Sequence, residues 1–340
     1  MLRVIRGCVG LMAVCLVLSG MSTGCSTLPQ TLSQRLDVVK RAAEQGDAAA
    51  QNELGGMYYD GQDVAQNHAE AVKWFTKAAE QGYAEAQYNL GVMYANGEGV
   101  AENKVEAVRW YTQAAERGNA AAQNNLGFMY EEGLGVAQND AEAVKWYAKA
   151  AEQGDADAQN NLGHMYLRGQ GVARNYAEAM KWYAQAAEQG DVSGHMNIFL
   201  MYANGLGVAR NDAEAEKWWR KANDLAEAHN FKVVKRKAEQ GDAEAQYRLA
   251  GMYCNGEGVA EDNAECVKWN RKSAEQGYAP AQLGLGVLYA IGHGVAQDFS
   301  EAVKWWELAA REDEDVWKAL EEMAEQGVVE VQKALETMKK

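Results

Sequence analysis

The stretch YAEAQYNLGVMYANGEGVAENKVEAVRWYTQAAERG, residues 83–118, decides the fold because the chain rewrites it several times. Its tryptophan recurs at intervals of 36 residues and then twice more, at Trp74, Trp110, Trp146, Trp182, Trp218, Trp269 and Trp305. A fixed period of this length indicates a repeat array, in which each unit packs on its neighbours. Most of each copy is therefore expected to be scaffold, with the tryptophans in the core. Function is expected on a surface that the array builds, or where the pattern breaks.

Each copy contains two helical patterns. Residues 84–94 place Leu90 and its apolar neighbours on one helical face, and glycines follow. Asn103 then begins a second helix, with Glu106 three residues later in a capping-box pattern. The same pattern recurs at Asn67/Glu70, Asn139/Glu142, Asn175/Glu178, Asn211/Glu214, Asp262/Glu265 and Asp298/Glu301. Small residues at Gly91 and Ala107 are expected where the two helices cross.

The run AEAQYNLGxMYxxGxGV, followed by Ala-xx-Trp-Tyr and AAExG, resembles the Sel1-like repeat, a relative of the tetratricopeptide repeat. The resemblance covers roughly residues 36–340 and seven copies. It implies an all-α fold, a right-handed α-solenoid superhelix of antiparallel helix pairs. It also implies a scaffold or adaptor role in protein–protein interaction, often in bacterial envelopes.

Residues 1–24 have the order of an export signal. Arg3 and Arg6 form a basic start, an apolar stretch follows that is short for a membrane span, and small residues precede Cys25. This order resembles a bacterial lipoprotein signal, in which Cys25 would be diacylated as the mature N-terminus. Ser22 stands where such signals usually carry Leu, so ordinary signal-peptidase cleavage and plain secretion stay open. Ser26 after the cysteine implies sorting to the outer membrane.

The repeat spacing also predicts the domain organisation. Trp218 and Trp269 are 51 residues apart, and the phrase FKVVKRKAEQG at residues 231–241 echoes LDVVKRAAEQG at residues 36–46. We therefore expect two stacks, each opened by a helix of the second type. The expected units are a signal peptide (1–24), a tether (25–35), a first block of about five repeats (36–222), an irregular connecting insert (223–237), a second block of two repeats (238–313) and C-terminal capping helices (314–340).

One repeat breaks the pattern at the helix crossing. In the fifth copy Phe199 stands where Gly91 and its equivalents recur. A phenylalanine there should push the two helices apart, so we expect altered curvature across residues 195–237. The alternative is that this region is a neutral scar of duplication.

Composition and motifs exclude several functions. The chain carries 33 basic and 48 acidic residues, a formal net charge of −15, which repels phosphate backbones and argues against nucleic-acid binding. The glycine-rich phrases lack the lysine and hydroxyl residue of a phosphate loop, and the histidines follow no metal-ligand spacing. We expect no catalytic residue, metal, cofactor or small-molecule substrate.

Two rival functions stay open beside the adaptor. Some cysteine-rich secreted members of the family bind penicillin-type β-lactams, which makes a β-lactam-binding or β-lactamase-like protein one alternative. The cysteine pair that recurs in each repeat of those members is absent here, and the chain has no Ser-xx-Lys motif. The other alternative is a purely structural spacer in the envelope.

Two cysteines fall within one repeat. Cys254 ends the first helix of the sixth copy, and Cys266 lies in the first turns of the second helix, 12 residues later. Antiparallel helices would let the two thiols face each other, and an oxidising compartment would permit a disulfide. The alternative is that Cys266 is a small buried residue in place of a crossing alanine.

A partner groove is the remaining candidate site. By analogy with tetratricopeptide arrays, the first helices line the concave side, where asparagine and aromatic side chains offer hydrogen bonds and apolar area to a protein or peptide. A merely solvated face is the alternative, and the irregular middle is a second candidate surface. The outward positions are Asn52, Tyr88, Val92, Asn124, Phe128, Asn160, His164, Met196, Leu200, Tyr247, Leu283 and Val287.

Overall fold

The computed structural model describes residues 32–312, 314–325, 329 and 331–332. The expected signal segment, Cys25 and most of the tether lie outside the described residues, as does much of the expected C-terminal cap. Within the described part the chain is helical throughout, with no strand. The helices are α1 (Leu32–Glu44), α2 (Ala48–Asp60), α3 (His68–Glu80), α4 (Ala84–Asn96), α5 (Lys104–Glu116), α6 (Ala120–Glu132), α7 (Asp140–Glu152), α8 (Ala156–Arg168), α9 (Tyr176–Glu188), α10 (Val192–Asn204), α11 (Asp212–Glu239), α12 (Ala243–Asn255), α13 (Asn263–Ala274), α14 (Ala279–Ile291), α15 (Phe299–Glu312) and α16 (Glu314–Glu325).

Consecutive helices pack against each other along the chain, which confirms the predicted all-α solenoid of helix pairs. Each repeat contributes a first helix (α2, α4, α6, α8, α10, α12, α14) and a second helix (α3, α5, α7, α9, α11, α13, α15). Each first helix ends at a glycine in the left-handed conformation, such as Gly97 with φ of 72°. Glycine adopts this conformation without the steric cost of a side chain, so it ends the helix cleanly.

The second helices begin where the capping pattern predicts. The Asn103 side chain accepts a hydrogen bond from the backbone N–H of Glu106 (3.1 Å), and six further caps behave alike. The reciprocal half of the capping box is replaced. The backbone N–H of Asn103 donates to the Tyr94 carbonyl (2.8 Å), and Glu106 pairs with Arg109 (3.1 Å) instead. The cap therefore ties the second helix to the end of the first.

A glycine at the helix crossing receives an aromatic ring from the second helix. A Cβ atom on Gly91 would lie 2.6 Å from the Tyr111 ring, so only glycine permits this approach. Gly91 therefore lies at the crossing, as predicted, and the neighbouring Ala107 is fully buried. The equivalent pairs are Gly55/Phe75, Gly127/Tyr147, Gly163/Tyr183 and Gly286/Trp306.

The predicted tryptophan core is correct only in part. Trp110 and Trp269 are buried, but the other five tryptophans of the series are only half-buried. In five of the seven repeats the residue after the tryptophan, such as Tyr147, packs on the crossing glycine of its own helix pair. Successive helical residues diverge by about 100°, so the tryptophan itself points elsewhere. Trp146 instead packs against the apolar cluster that α5 of the preceding repeat forms with α6, and Lys149 lies over its ring at 3.9 Å.

The expectation of an irregular insert at residues 223–237 is wrong. These residues form the second half of α11, a single helix of 28 residues. The segment contains no glycine or proline, and its three lysines, two alanines, leucine, arginine and glutamate favour helix.

Helix α11 corresponds to two second helices fused end to end. A Cβ atom on Gly294 would collide with the backbone of Asn263, the first residue of α13 and 31 positions upstream. A Cβ atom on Gly258 would collide with Glu227, which is also 31 positions upstream. Glu227 thus stands where a second helix normally begins, and no first helix separates the two halves. The second half of α11 precedes α12 as α1 precedes α2, and the division of the array into two stacks stays a prediction.

The break at Phe199 changes the aromatic partner. Phe199 is half-buried, and Trp219, which corresponds to Tyr183 of the preceding repeat, is 46% exposed. A phenylalanine in the glycine position leaves no room for a ring at the crossing, so that ring lies outside. The altered curvature expected here stays a prediction.

Candidate functional site

The outward positions of the first helices form one row, which we call the first-helix face. Leu200 is exposed (46%), Asn160 is buried, and the other members are half-buried. The face consists of Asn52, Tyr88, Val92, Asn124, Phe128, Asn160, His164, Met196, Leu200, Tyr247, Leu283 and Val287.

Asparagine pairs connect neighbouring first helices along this face. Asn89 Nδ2 donates to Asn52 Oδ1 at 3.0 Å, and Asn161 Nδ2 donates to Asn124 Oδ1 at 2.9 Å. Asn197 on α10 donates to Asn160 on α8 in the same way, at 3.1 Å. These hydrogen bonds hold successive repeats in register, because each links two residues that are 37 positions apart and lie on successive first helices.

Asn160 needs a correction. Its Nδ2 donates to the Ala156 carbonyl (3.0 Å) and to Asp191 Oδ1 (2.7 Å), while its Oδ1 accepts from Asn197. A buried amide with its donors and its acceptor already used has little left to offer a partner. Asn160 is therefore a link between repeats rather than a contact residue of a groove.

Aromatic residues stiffen the middle of the face. The Tyr88 ring lies 6.1 Å from the Tyr111 ring. Burial raises the pKa of Tyr88 and of Tyr111. Both phenols therefore stay protonated at neutral pH, and Tyr88 presents a half-buried aromatic edge to the surface.

His164 lies on the face as a neutral imidazole. Burial, aided by the Arg168 charge, lowers the pKa of His164, and its Nδ1 lies 3.0 Å from the Tyr183 hydroxyl. Across the described residues, no group of three or more His, Cys, Asp or Glu could hold a metal ion. His164 is thus part of the packing between α8 and α9.

Apolar members of the face recur at one repeat position in the first block, except in the first and fourth repeats, which carry Gly56 and His164 there. Val92, Phe128 and Leu200 occupy the same position of α4, α6 and α10, and Met196 lies one turn before Leu200. Such a row offers apolar contact area between fixed polar links. Whether a partner uses it stays a prediction.

The second block carries a pocket on the same face. It has a volume of about 440 Å³ and lies between α12 and α14. Tyr247, Leu283 and Val287 form its walls with other apolar groups, and Asn270 of α13 lies behind them. The sequence predicted the wall positions but missed Asn270. The sequence did contain a signal, since Asn270 stands where each of the other six repeats carries an aromatic residue.

Cys254 and Cys266 are joined as a disulfide in the structure, with their Cα atoms 5.3 Å apart. This spacing is within the usual range for a disulfide. The bond connects the end of α12 to the start of α13, and Cys254 also lines the pocket. Whether the bond forms in the cell stays a prediction.

No helix in the described part of the chain is both long and apolar enough to span a bilayer. Any membrane attachment through Cys25 would involve residues outside that part.

Comparisons with known proteins identify the repeat. The family model described as Sel1 repeat matches seven segments: 48–83, 84–119, 120–155, 156–191, 192–226, 243–278 and 279–314. The unmatched residues 227–242 include the second half of α11. A search among curated proteins found no match.

Solved structures carry the same repeat. The chain is 40% identical to c5321, a protective antigen of uropathogenic Escherichia coli with an SLR fold, with a TM-score of 0.54. The match covers 83% of this chain but only 65% of the E. coli chain. A Sel1 repeat protein from Oxalobacter formigenes is 34% identical, with a TM-score of 0.46, over 86% of this chain and 80% of that one. The chain therefore belongs to the Sel1 repeat family.

Proposed function

We propose that this protein is a non-enzymatic adaptor that binds another protein through its first-helix face. Sel1-repeat proteins are generally scaffolds for protein interaction. The observation that carries the proposal is the row of large apolar side chains on the first block, in which Phe128 is half-buried and Leu200 is exposed. Interfaces gain most of their binding energy from a few such anchors set in a rigid surround. Here the asparagine links supply the rigidity.

The proposed place of action is the bacterial cell envelope. The order of residues 1–24 favours export, with Cys25 carrying the lipid that anchors the chain in the outer membrane. The relation to an E. coli protein described as a protective antigen supports export. Incorporation of labelled palmitate into the wild type, and its loss in Cys25→Ala, tests the anchor. Mature protein that starts elsewhere and carries no lipid would favour plain secretion.

The test of the binding face uses a double variant, Phe128→Ser with Leu200→Ser. The matched control is Val105→Ser, because Val105 is a 63% exposed apolar residue on the second helix α5. Proteins crosslinked to each variant in cells would be identified and quantified by mass spectrometry. We expect the double variant to lose captured proteins that the control retains. Its helical content should stay near the wild-type value, while its melting temperature falls, because Phe128 also packs against two buried clusters.

Two results would contradict the proposal. Unchanged capture by the double variant would move the binding site to the second-helix side or to α11. Absence of any enriched protein with the wild type would favour a structural spacer.

A further inference from the structure

The pocket between α12 and α14 exists because several side chains are smaller there than in the first block. The corresponding space between α4 and α6 has the same backbone plan, 159 residues earlier in the chain. Four filling side chains of that space are replaced together: Tyr111 by Asn270, Val92 by Gly251, Asn125 by Gly284 and Phe128 by Val287.

Each replacement removes atoms from the same place. A Cβ atom added to Gly251 would meet nothing within 4 Å, and one on Gly284 would lie 3.3 Å from Asn270 Oδ1 and 3.6 Å from the Tyr247 ring. The pocket as a whole has a volume of about 440 Å³, which falls in the range of ligand pockets in proteins. A single truncation would leave a small void, but four adjacent ones leave room for a ring.

A polar atom without a partner lies at the back of this pocket. Asn270 is only 5% exposed, and its Oδ1 has no hydrogen-bond partner in the structure. Its Nδ2 is directed at Cys266 Sγ, 3.7 Å away. A buried acceptor without a donor is unfavourable, and a ligand that donates one hydrogen bond would remove that cost.

The walls of the pocket are set before any ligand arrives. The disulfide connects α12 to α13 beside Asn270, and Tyr247 is supported by the Tyr278 ring at 5.7 Å. Arg248 lies at the rim and is exposed. A rigid apolar slot with one buried acceptor selects a flat apolar group that carries a donor at its tip.

We propose that this pocket binds a tyrosine side chain of a partner protein. The ring lies between Tyr247 and the Leu283 and Val287 side chains, and its hydroxyl donates to Asn270 Oδ1. The incoming ring takes part of the space that Tyr111 and its neighbours fill in the first block. A phenol fits better than an indole because its donor is at the tip of the ring, in line with the acceptor. The proposal rests on the proposed protein-binding function only for the source of the phenol.

The pocket itself is tested with free p-cresol, which is the tyrosine side chain, and with toluene, which lacks the hydroxyl. Both are titrated into the full-length protein by ligand-observed NMR. One hydrogen bond to an orphaned acceptor predicts about tenfold tighter binding of p-cresol than of toluene. Asn270→Leu keeps the volume and removes the acceptor, so its p-cresol affinity should fall to that of toluene.

Filling the pocket provides the second arm. Ala250→Gly with Asn270→Tyr rebuilds the glycine and tyrosine pair of the other repeats and should abolish binding of both probes. If that variant does not fold, as judged by circular dichroism, Gly251→Phe fills the pocket from α12 instead. Equal affinity of wild type for p-cresol and toluene, or p-cresol binding that survives a folded filling variant, would overturn the proposal.

The source of the phenol is tested by partner capture in cells. A filled variant should lose crosslinked proteins that the wild type retains. If p-cresol binds as expected but capture is unchanged, the pocket is real and its assignment to a partner's tyrosine is wrong. Capture that is lost in the Phe128 and Leu200 double variant but kept in the filled variant would overturn this inference and leave the proposed function standing.

Discussion

Two spaces between successive first helices have the same backbone plan, but side chains fill one of them and leave a pocket in the other. Between α4 and α6, the Tyr111 ring belongs to a buried apolar cluster, and Tyr88, Val92 and Phe128 pack against it. Between α12 and α14, shorter side chains leave an open pocket with a buried acceptor. The first helices end at left-handed glycines in both places, so this part of the repeat plan does not depend on how the space is filled. The comparison teaches that a Sel1 array can form a site by omitting a ring rather than by adding a motif.

The largest expected effect is a difference in the free energy of unfolding between a variant at a filled helix crossing and a variant at the crossing that lacks a ring. Tyr147→Ala should lower the free energy of unfolding by about 3–5 kcal/mol, because it leaves a cavity beside Gly127. Asn270→Ala should cost less than about 1 kcal/mol, since it removes an acceptor that is already unpaired. Urea unfolding of both variants checks this. Equal losses would show that the two crossings do not differ in packing as described.

Trp146→Ala allows two neighbouring rings of α7, Trp146 and Tyr147, to be compared for their contribution to stability. Trp146 is half-buried, whereas Tyr147 is fully buried. The tryptophan change should therefore cost less than the tyrosine change, roughly 1–3 kcal/mol, from the apolar area that Trp146 buries. Urea unfolding in the same buffer gives the order. A larger loss at Trp146 would restore the tryptophan series as the principal core.

The disulfide distinguishes the second block from the first. Closing a loop of this length is worth about 3 kcal/mol in the chain-entropy account, so reduction should destabilise α12 and α13. Hydrogen exchange with and without reductant should show faster exchange there and no change in α4 and α5. Peptide mapping of alkylated, unreduced protein checks the bond itself. Recovery of Cys254 and Cys266 as free thiols would rule it out.

In the fifth repeat, two substitutions are expected to stabilise the protein rather than destabilise it. Phe199→Gly with Trp219→Tyr restores the glycine and tyrosine pair found in three other repeats, and such consensus changes commonly stabilise by about 0.5–2 kcal/mol. Each single change should fall short of the pair, because the ring and its space are needed together. Thermal unfolding of the three variants tests this coupling. Additive single effects would mean that Phe199 and Trp219 are independent.

The smallest expected effect is a pH dependence at His164. Burial lowers the pKa of His164 in the folded chain, so the unfolded chain binds the proton more readily. The stability linked to the neutral imidazole is present above the unfolded pKa of about 6.5 and is lost as the pH falls through that value. The slope is at most about 1.4 kcal/mol per pH unit. His164→Phe, which copies Phe128, should remove this component from unfolding curves between pH 7 and 5, and an unchanged slope would contradict the assignment.

The sequence predicted the helix pairs and their starts, because each depends on local chemistry that recurs. Asn103 accepts from Glu106 whatever lies nearby, and Gly97 ends its helix for a backbone reason. The choice between Trp110 and Tyr111 as the deepest ring could not be made from spacing, since neighbouring residues share the same period. The geometry of the crossing decides it, through Gly91.

The sequence predicted which positions belong to the candidate site better than it predicted the hydrogen bonds and burial of the side chains there. The predicted face residues lie on the first helices, and their use by a partner stays a prediction. The pairing of Asn124 with Asn161 could not be predicted, because it depends on the distance between two helices. The same holds for Asn160, whose amide is used within the chain. The pocket needed a comparison of four positions across repeats, among which Asn270 alone departs from an aromatic pattern.

We expect a partner protein to contact the first-helix face. Photo-crosslinking from single positions of this protein tests that contact directly. A benzoylphenylalanine replaces Phe128, where an aromatic side chain is native, and in a second protein it replaces the exposed Val105 on the second helix α5. Both are irradiated in living cells, and adducts are resolved by mass spectrometry. We expect a discrete protein adduct from position 128 and none from position 105. Adducts from position 105 alone, or the same adducts from both positions, would contradict the account.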